Sequence, residues 1–329
     1  MTDYKKLLNE LFAKYDDELA LALDGDIEQY CYKEVYTKEN GTHDANYKNR
    51  LRLAYEILYT KKYEEHNRID GLIVKLFNEE LFDRETNSFQ GIGTCLEILT
   101  ELLNKYNVPD REVLFERAKN ANFDCYCGLN VGYVSPPLDE YTIEESISLL
   151  IELGEKDLAK KLLLEYTYSE EIIDESKMNF CQYNFHILGD LDNEFKVTKN
   201  LINMAILSDD SLSTCRYMFS AIKVLNDSEA YDKASEIFDM LIPRLNSIDS
   251  WDSIGFGRQL LEQCMTVIIN YESSAEDLWE WAEPFIRKMI DNMHGNLYKK
   301  ASLAAYKMGD FMLAETLSNK YDELMFPLE

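Results

Sequence analysis

Glycine and proline are scarce in this 329-residue chain, at 13 and 6 residues. Turn-rich β proteins depend on both, so the shortage disfavours a hairpin-built β fold and favours helices. Basic residues are few as well. Lys and Arg number 34 against 61 Asp and Glu, a formal charge of −27. They occur as pairs such as Lys61-Lys62 and Lys299-Lys300 and form no basic patch along the sequence, which argues against binding to a phosphate backbone. Long apolar runs are missing too. The opening stretch from Met1 to Leu23 is amphipathic and broken by charge, so neither a signal peptide nor a membrane span is expected, and the default location is cytoplasmic. The seven cysteines sit mostly inside apolar helical stripes, as Cys95, Cys215 and Cys264 do, and read as small buried hydrophobes in a reducing compartment.

Catalytic signatures are equally sparse. The chain has no G-x-S-x-G, P-loop, H-E-x-x-H or G-x-G-x-x-G sequence. Gly91-Ile92-Gly93 enters a helix and reads as close packing, not as a phosphate cradle. Asp24-Asp26-Glu28 and Asp190-Asp192-Glu194 imitate the start of a calcium loop. However, they lack the glycine at position six and the glutamate at position twelve, and read as acidic helix-initiating turns. His43, His66, His186 and His294 each lack a second ligand at helical spacing. Cys125-x-Cys127 has no matching second knuckle, and Asp16-Asp17 and Asp209-Asp210 have no further acid one turn on. No catalytic, cofactor-binding or metal-binding residue follows from the sequence, and no cofactor is expected.

What the chain does contain is helical periodicity. In Tyr141–Tyr166, Thr142 and Glu145 form an S/T-x-x-E capping pattern before Ile147, Leu150 and Ile151, and Gly154 interrupts the helix. Ala159, Leu162, Leu163 and Tyr166 then form a second stripe. The spacing predicts an antiparallel helical hairpin. Further hairpins are predicted over 169–207, 212–245, 254–293 and 297–324. Before them, a helix is predicted over 3–23, with others marked by Leu51–Leu58, Ile69–Phe77, Cys95–Leu103 and Val108–Asn122. A polar loop separates the first two. The stretch 124–140, with Gly128, Gly132 and Pro136-Pro137, reads as irregular. It divides an N-terminal helical region, 1–123, from helical-hairpin repeats over 141–329.

The repeats resemble the tetratricopeptide-repeat family. That family places a small residue at a tight turn, an aromatic two residues on and an alanine five residues on. Gly309, Phe311 and Ala314 match this pattern; Gly154 and Ala159 match it without the aromatic. Tyr231 with Ala234, and Trp279 with Ala282, reproduce the aromatic-x-x-alanine part. The alanines are spaced irregularly, and Pro284 is expected to kink or break its helix. The resemblance implies an all-α, right-handed α-solenoid of antiparallel hairpins whose concave groove holds protein or peptide.

The leading functional expectation is therefore a non-enzymatic protein- or peptide-binding module, with Tyr231, Trp279 and Phe311 as candidate anchors and Gly154, Ala159, Ala234, Ala282, Gly309 and Ala314 as turn and packing positions. The net charge favours a basic partner and disfavours nucleic acid or membrane. An alternative is an intracellular inhibitor, such as an immunity protein that neutralises a basic toxin, or an acidic mimic of nucleic acid. A third reading is an enzyme whose metal site is built from carboxylates on separate helices.

Overall fold

Helices begin where short polar side chains can receive the first free N–H groups, and the chain supplies such residues repeatedly. The computed structural model describes residues 2–37, 41–87, 91–169, 174–253 and 256–326. Among these residues it contains sixteen α-helices and one two-stranded ribbon. The chain divides into two compact units, Met1–Ser169 and Glu170–Glu329.

In the first unit, α1 (Tyr4–Asp24) starts at Asp3, whose carboxylate accepts the Lys6 N–H at 3.1 Å. Leu8, Leu11, Phe12, Tyr15 and Leu19 line its buried face. The polar loop expected after Thr37 holds one strand of an antiparallel ribbon, β2 (Gly41–Asp44), which pairs with β1 (Glu34–Thr37) just before it, Val35 facing His43. The ribbon's β-branched residues Val35, Thr37 and Thr42 fit a strand better than a helix. Asn40, which precedes Gly41 in that loop, lies outside the described residues. Three helices follow: α2 (Tyr47–Tyr59), α3 (Ile69–Thr86) and α4 (Thr94–Lys105). Both α2 and α3 pack on α4.

Next come α5 (Arg111–Lys119) and α6 (Phe123–Gly128). The second corrects the expectation that 124–140 is irregular throughout, because Asn122 caps a short helix there by accepting the Cys125 N–H at 2.8 Å. The remainder of the stretch is tied down. Ser135 donates its N–H and hydroxyl to Glu101 at 3.0 and 2.7 Å, and the Tyr59 hydroxyl donates to the Pro136 carbonyl at 3.1 Å. The hairpin read from the sequence is present as α7 (Ile143–Glu152) and α8 (Lys156–Thr167), opened by the Thr142–Glu145 capping box. It belongs to the first unit, where α7 packs on α1. The compact units thus part after Ser169, whereas the sequence pattern places a boundary at 124–140.

The second unit is helical throughout its described residues: α9 (Glu175–Ile187), α10 (Leu191–Leu207), α11 (Ser211–Asp227), α12 (Tyr231–Leu245), α13 (Gly257–Asn270), α14 (Ala275–Lys288), α15 (Gly295–Lys307) and α16 (Phe311–Met325). Each sequential pair from α9–α10 to α15–α16 that the sequence predicts packs as a hairpin, although Ile254 lies outside the described residues. Four of the connections share one geometry. Gly189, Asp209, Glu229 and Gly309 take left-handed φ angles of 69°, 55°, 57° and 82°. The N–H after each reaches back to close the preceding helix, Asp190 to Phe185, Asp210 to Ala205, Ala230 to Leu225 and Asp310 to Ala305, at 2.8–3.0 Å. This is the Schellman arrangement. Asp190, Asp210 and Asp310 then cap the next helix by accepting N–H groups three residues on. Two of the four left-handed positions are acidic instead of glycine, which conceals the repetition from a search for glycine.

Pro284 does not break its helix: α14 runs through it to Lys288. The buried stripe Leu278, Trp279, Ala282 and Ile286 anchors the helix on both sides of the proline. One apolar cluster runs from Ile202 to Leu317 and joins these hairpins.

Candidate functional site

Charge is sorted between the helices of the second unit. The first helices of its last three hairpins, α11, α13 and α15, carry Arg216, Lys223, Arg258, Lys299, Lys300 and Lys307 against only Asp227 and Glu262. Their partners α12, α14 and α16 carry the opposite balance, ten acids to five bases. In a chain of net charge −27 this leaves one face cationic. The face is continuous because α13 packs between α11 and α15.

Two cavities lie along it, of ≈ 510 and ≈ 350 Å³, and Glu262 lines both. The larger is walled by Phe219 and Lys223 of α11, Arg258 and Gln263 of α13 and His294 at the start of α15. The smaller is walled by Thr266 and Asn270 of α13 and by Lys299, Lys300 and Leu303 of α15. On α13, residues 258, 262, 266 and 270 recur every four positions, so one stripe of that helix forms the floor.

Glu262 organises the centre. Its carboxylate accepts from Lys300 Nζ at 2.9 Å and lies 3.5 Å from His294 Nε2. His294 Nδ1 accepts the Leu297 N–H at 3.4 Å as the cap of α15, so the ring proton belongs on Nε2, facing Glu262. Lys307 Nζ is tied to the Ile268 and Ile269 carbonyls at the end of α13, at 2.9 and 3.0 Å. Lys223, Arg258 and Lys299 make no ion pair among the described residues, and all three are exposed. The Thr266 hydroxyl donates to the Glu262 carbonyl at 3.1 Å. What the lining offers is positive charge and hydrogen-bond donors, the chemistry of binding carboxylate or phosphate groups.

The residues singled out from the sequence fall elsewhere. Trp279 is 8 % exposed in the core of α14; Tyr231 is half-buried at the start of α12; Phe311 is 61 % exposed and packs edge-on against Tyr306 with ring centroids 5.3 Å apart. None of the three lines either cavity, and they stand on three different hairpins. The aromatic-x-x-alanine spacing selects the second helix of each hairpin, whose apolar stripe faces the core. The cations of the site lie on the first helices. Ala159, Ala234, Ala282 and Ala314 are all buried, and Gly154 and Gly309 hold left-handed turns at φ of 83° and 82°. The close approach of α15 and α16 shows in the Ser302 hydroxyl, which donates to the Ala314 carbonyl at 2.8 Å.

Charge sign per helix, read against the hairpin order, is the signal that would have found the groove. His186 is held by Glu194 at 3.2 Å. Cys125 is buried and Cys127 exposed, and all seven cysteines are free. Among the described residues no group of three or more His, Cys, Asp or Glu side chains could hold a metal ion, and no helix is long and apolar enough to cross a membrane. No family model, curated protein or solved structure matches this chain.

Proposed function

We propose that the chain is a non-enzymatic binding module of tetratricopeptide-like, solenoid character, and that the face made by α11, α13 and α15 takes an acidic segment of a partner protein or peptide. The observation that carries this reading is the sorting of charge, with unpaired Lys223, Arg258 and Lys299 around two cavities that meet at Glu262. The net charge would draw a basic partner to the remaining surface, as an inhibitor of a basic toxin requires. The groove has the opposite sign, and the reading follows the groove.

An array of acidic, neutral and basic peptides, probed with the full chain at low and physiological salt, tests this. Acidic peptides are expected to bind and to lose affinity as salt rises. Binding confined to basic peptides would replace this reading with charge capture by the outer surface. Acidic-peptide binding that survives Arg258→Glu with Lys299→Glu unchanged would remove the groove from it.

A further inference from the structure

The cationic groove of the second unit gives way to apolar surface at one edge. Its smaller cavity is walled in part by Leu303 of α15, beside Lys299 and Lys300, and an apolar strip continues outward from that residue. Lys299, Leu303 and Tyr306 stand at i, i+4 and i+7 on α15, so they share one stripe of the helix. Tyr306 then meets Phe311, the first residue of α16, edge-on with ring centroids 5.3 Å apart. Leu303, Tyr306 and Phe311 are each more than half exposed. We propose that the segment held by the groove carries large apolar side chains next to its carboxylates, and that these cover Leu303, Tyr306 and Phe311. The proposal rests on the acidic-segment reading and adds the class of side chain that accompanies the acids.

The core makes no use of this strip. Leu297, Tyr298, Ala301, Ala304 and Ala305 are the buried residues of α15, and Leu313, Ala314 and Leu317 those of α16. Apolar residues exposed singly are ordinary on a protein surface, whereas a run of them that adjoins a polar cavity marks a surface for contact.

Charge selects the occupant and its direction. At the inner end of the strip stands Lys299, which makes no ion pair among the described residues. At the outer end Glu315 follows Phe311 by one helical turn and is exposed. A segment with carboxylates over Lys299 and apolar side chains toward Phe311 suits both ends. The reverse placement would bring its carboxylates to Glu315. A second copy of the chain is the poorer occupant, because each copy carries a charge of −27 and the two repel.

The spacing follows from the helix. From Lys299 to Tyr306 is a rise of about 10 Å along α15. An extended segment covers that in about three residues. The apolar side chains are therefore expected about three positions from the last carboxylate. Their contact with Tyr306 and Phe311 adds a part to the affinity that salt does not screen, beside the part that it does.

Fluorescence anisotropy with the full chain tests this on two labelled peptides, each made in both chain directions. One has four glutamates, two glycines and two leucines; the other has serines in place of the leucines. In one direction the leucine peptide is expected to bind at least about tenfold more tightly. That ratio should persist from low to physiological salt while both affinities fall. Tyr306→Ser and Phe311→Ser should each bring the ratio toward one, whereas Tyr183→Ser, at an exposed tyrosine of α9, should leave it unchanged. Because the readout is a ratio within one variant, a general loss of binding does not imitate the effect. Equal affinity for the leucine and serine peptides, with both bound, would overturn the proposal and leave the acidic-segment reading standing. Binding of neither would remove that reading and the proposal with it. A ratio that survives both Tyr306→Ser and Phe311→Ser, or a dimer in sedimentation that Tyr306→Ser dissociates, would also overturn it, the latter by assigning the strip to a second copy.

Discussion

Arg50 and Glu80 are fully buried and joined by two hydrogen bonds, from Arg50 Nε at 3.0 Å and from Nη2 at 2.6 Å to the same carboxylate oxygen. They link α2 to α3. Arg50 also contacts Asp44 Oδ2 at 2.7 Å and donates to the Tyr30 carbonyl at 3.2 Å, so one guanidinium gathers the ribbon, the turn before it and two helices. Burial works against its charge, and Glu80 and Asp44 more than offset that. The value of such a pair lies in the loss when one side is removed.

Arg50→Met should therefore destabilise the first unit strongly, by about 3–5 kcal/mol, because Glu80 and Asp44 would remain buried without their cation. Urea unfolding followed by hydrogen exchange in α2 and α3 reads this. A loss below about 1 kcal/mol would show the carboxylates to be re-solvated or neutral.

Glu56 gives the same unit a dependence on pH. It is 1 % exposed; burial first, and then its hydrogen bond to the Asp16 carboxylate, push its carboxyl up to about 8. The folded chain thus holds a proton that the unfolded chain releases near pH 4.3. Its contribution to stability is present below that value and is lost as pH rises through about 8, at up to about 1.4 kcal/mol per pH unit. Unfolding midpoints measured across this range should fall with rising pH in the parent and flatten in Glu56→Gln. An unchanged slope in the variant would place the proton elsewhere.

Glu229→Gly should stabilise the second unit by about 1 kcal/mol, since a residue with a Cβ is strained at a left-handed φ and glycine is not. Glu229 is exposed at φ of 57°, so its side chain surrenders no burial. Thermal unfolding is the readout, with Gly309→Ala, at φ of 82°, expected to move the midpoint the other way. A loss of stability in Glu229→Gly would mean that the backbone entropy of glycine outweighs the relief of strain.

Reversing two charges of the groove, Arg258→Glu with Lys299→Glu, should weaken acidic-peptide binding about tenfold or more and flatten its salt dependence, while leaving the unfolding free energy within about 0.5 kcal/mol of the parent's. Fluorescence anisotropy against salt measures the first and thermal unfolding the second. A variant that binds as before but unfolds early would assign these residues to stability instead.

The helices and their pairing were legible because periodicity is local. Ala159, Ala234, Ala282 and Ala314 repeat along stripes that must turn inward whatever else the chain does, and all four are buried. The aromatic positions were less legible for the same reason. Trp279 sits on such a stripe and is claimed by the core, whereas Phe311 at the start of its helix is left outside. The ribbon of Glu34–Thr37 with Gly41–Asp44 escaped a reading of helical period because four-residue strands carry too little pattern to count. Pro284 misled because the cost of one missing N–H is local, while the apolar stripe on both sides of it holds the helix.

The sequence by itself determined the all-helical class, the hairpins of the second unit and the capping residues that start them. Each depends on residues within a few positions of one another, and such interactions survive in any tertiary arrangement. Only the tertiary structure decided that the Tyr141–Tyr166 hairpin joins the first unit, that Arg50 closes on Glu80 across 30 positions, and that cations from α11, α13 and α15 line one groove. Those relationships rest on contacts between distant segments, whose energy depends on burial and geometry that no local window of sequence contains.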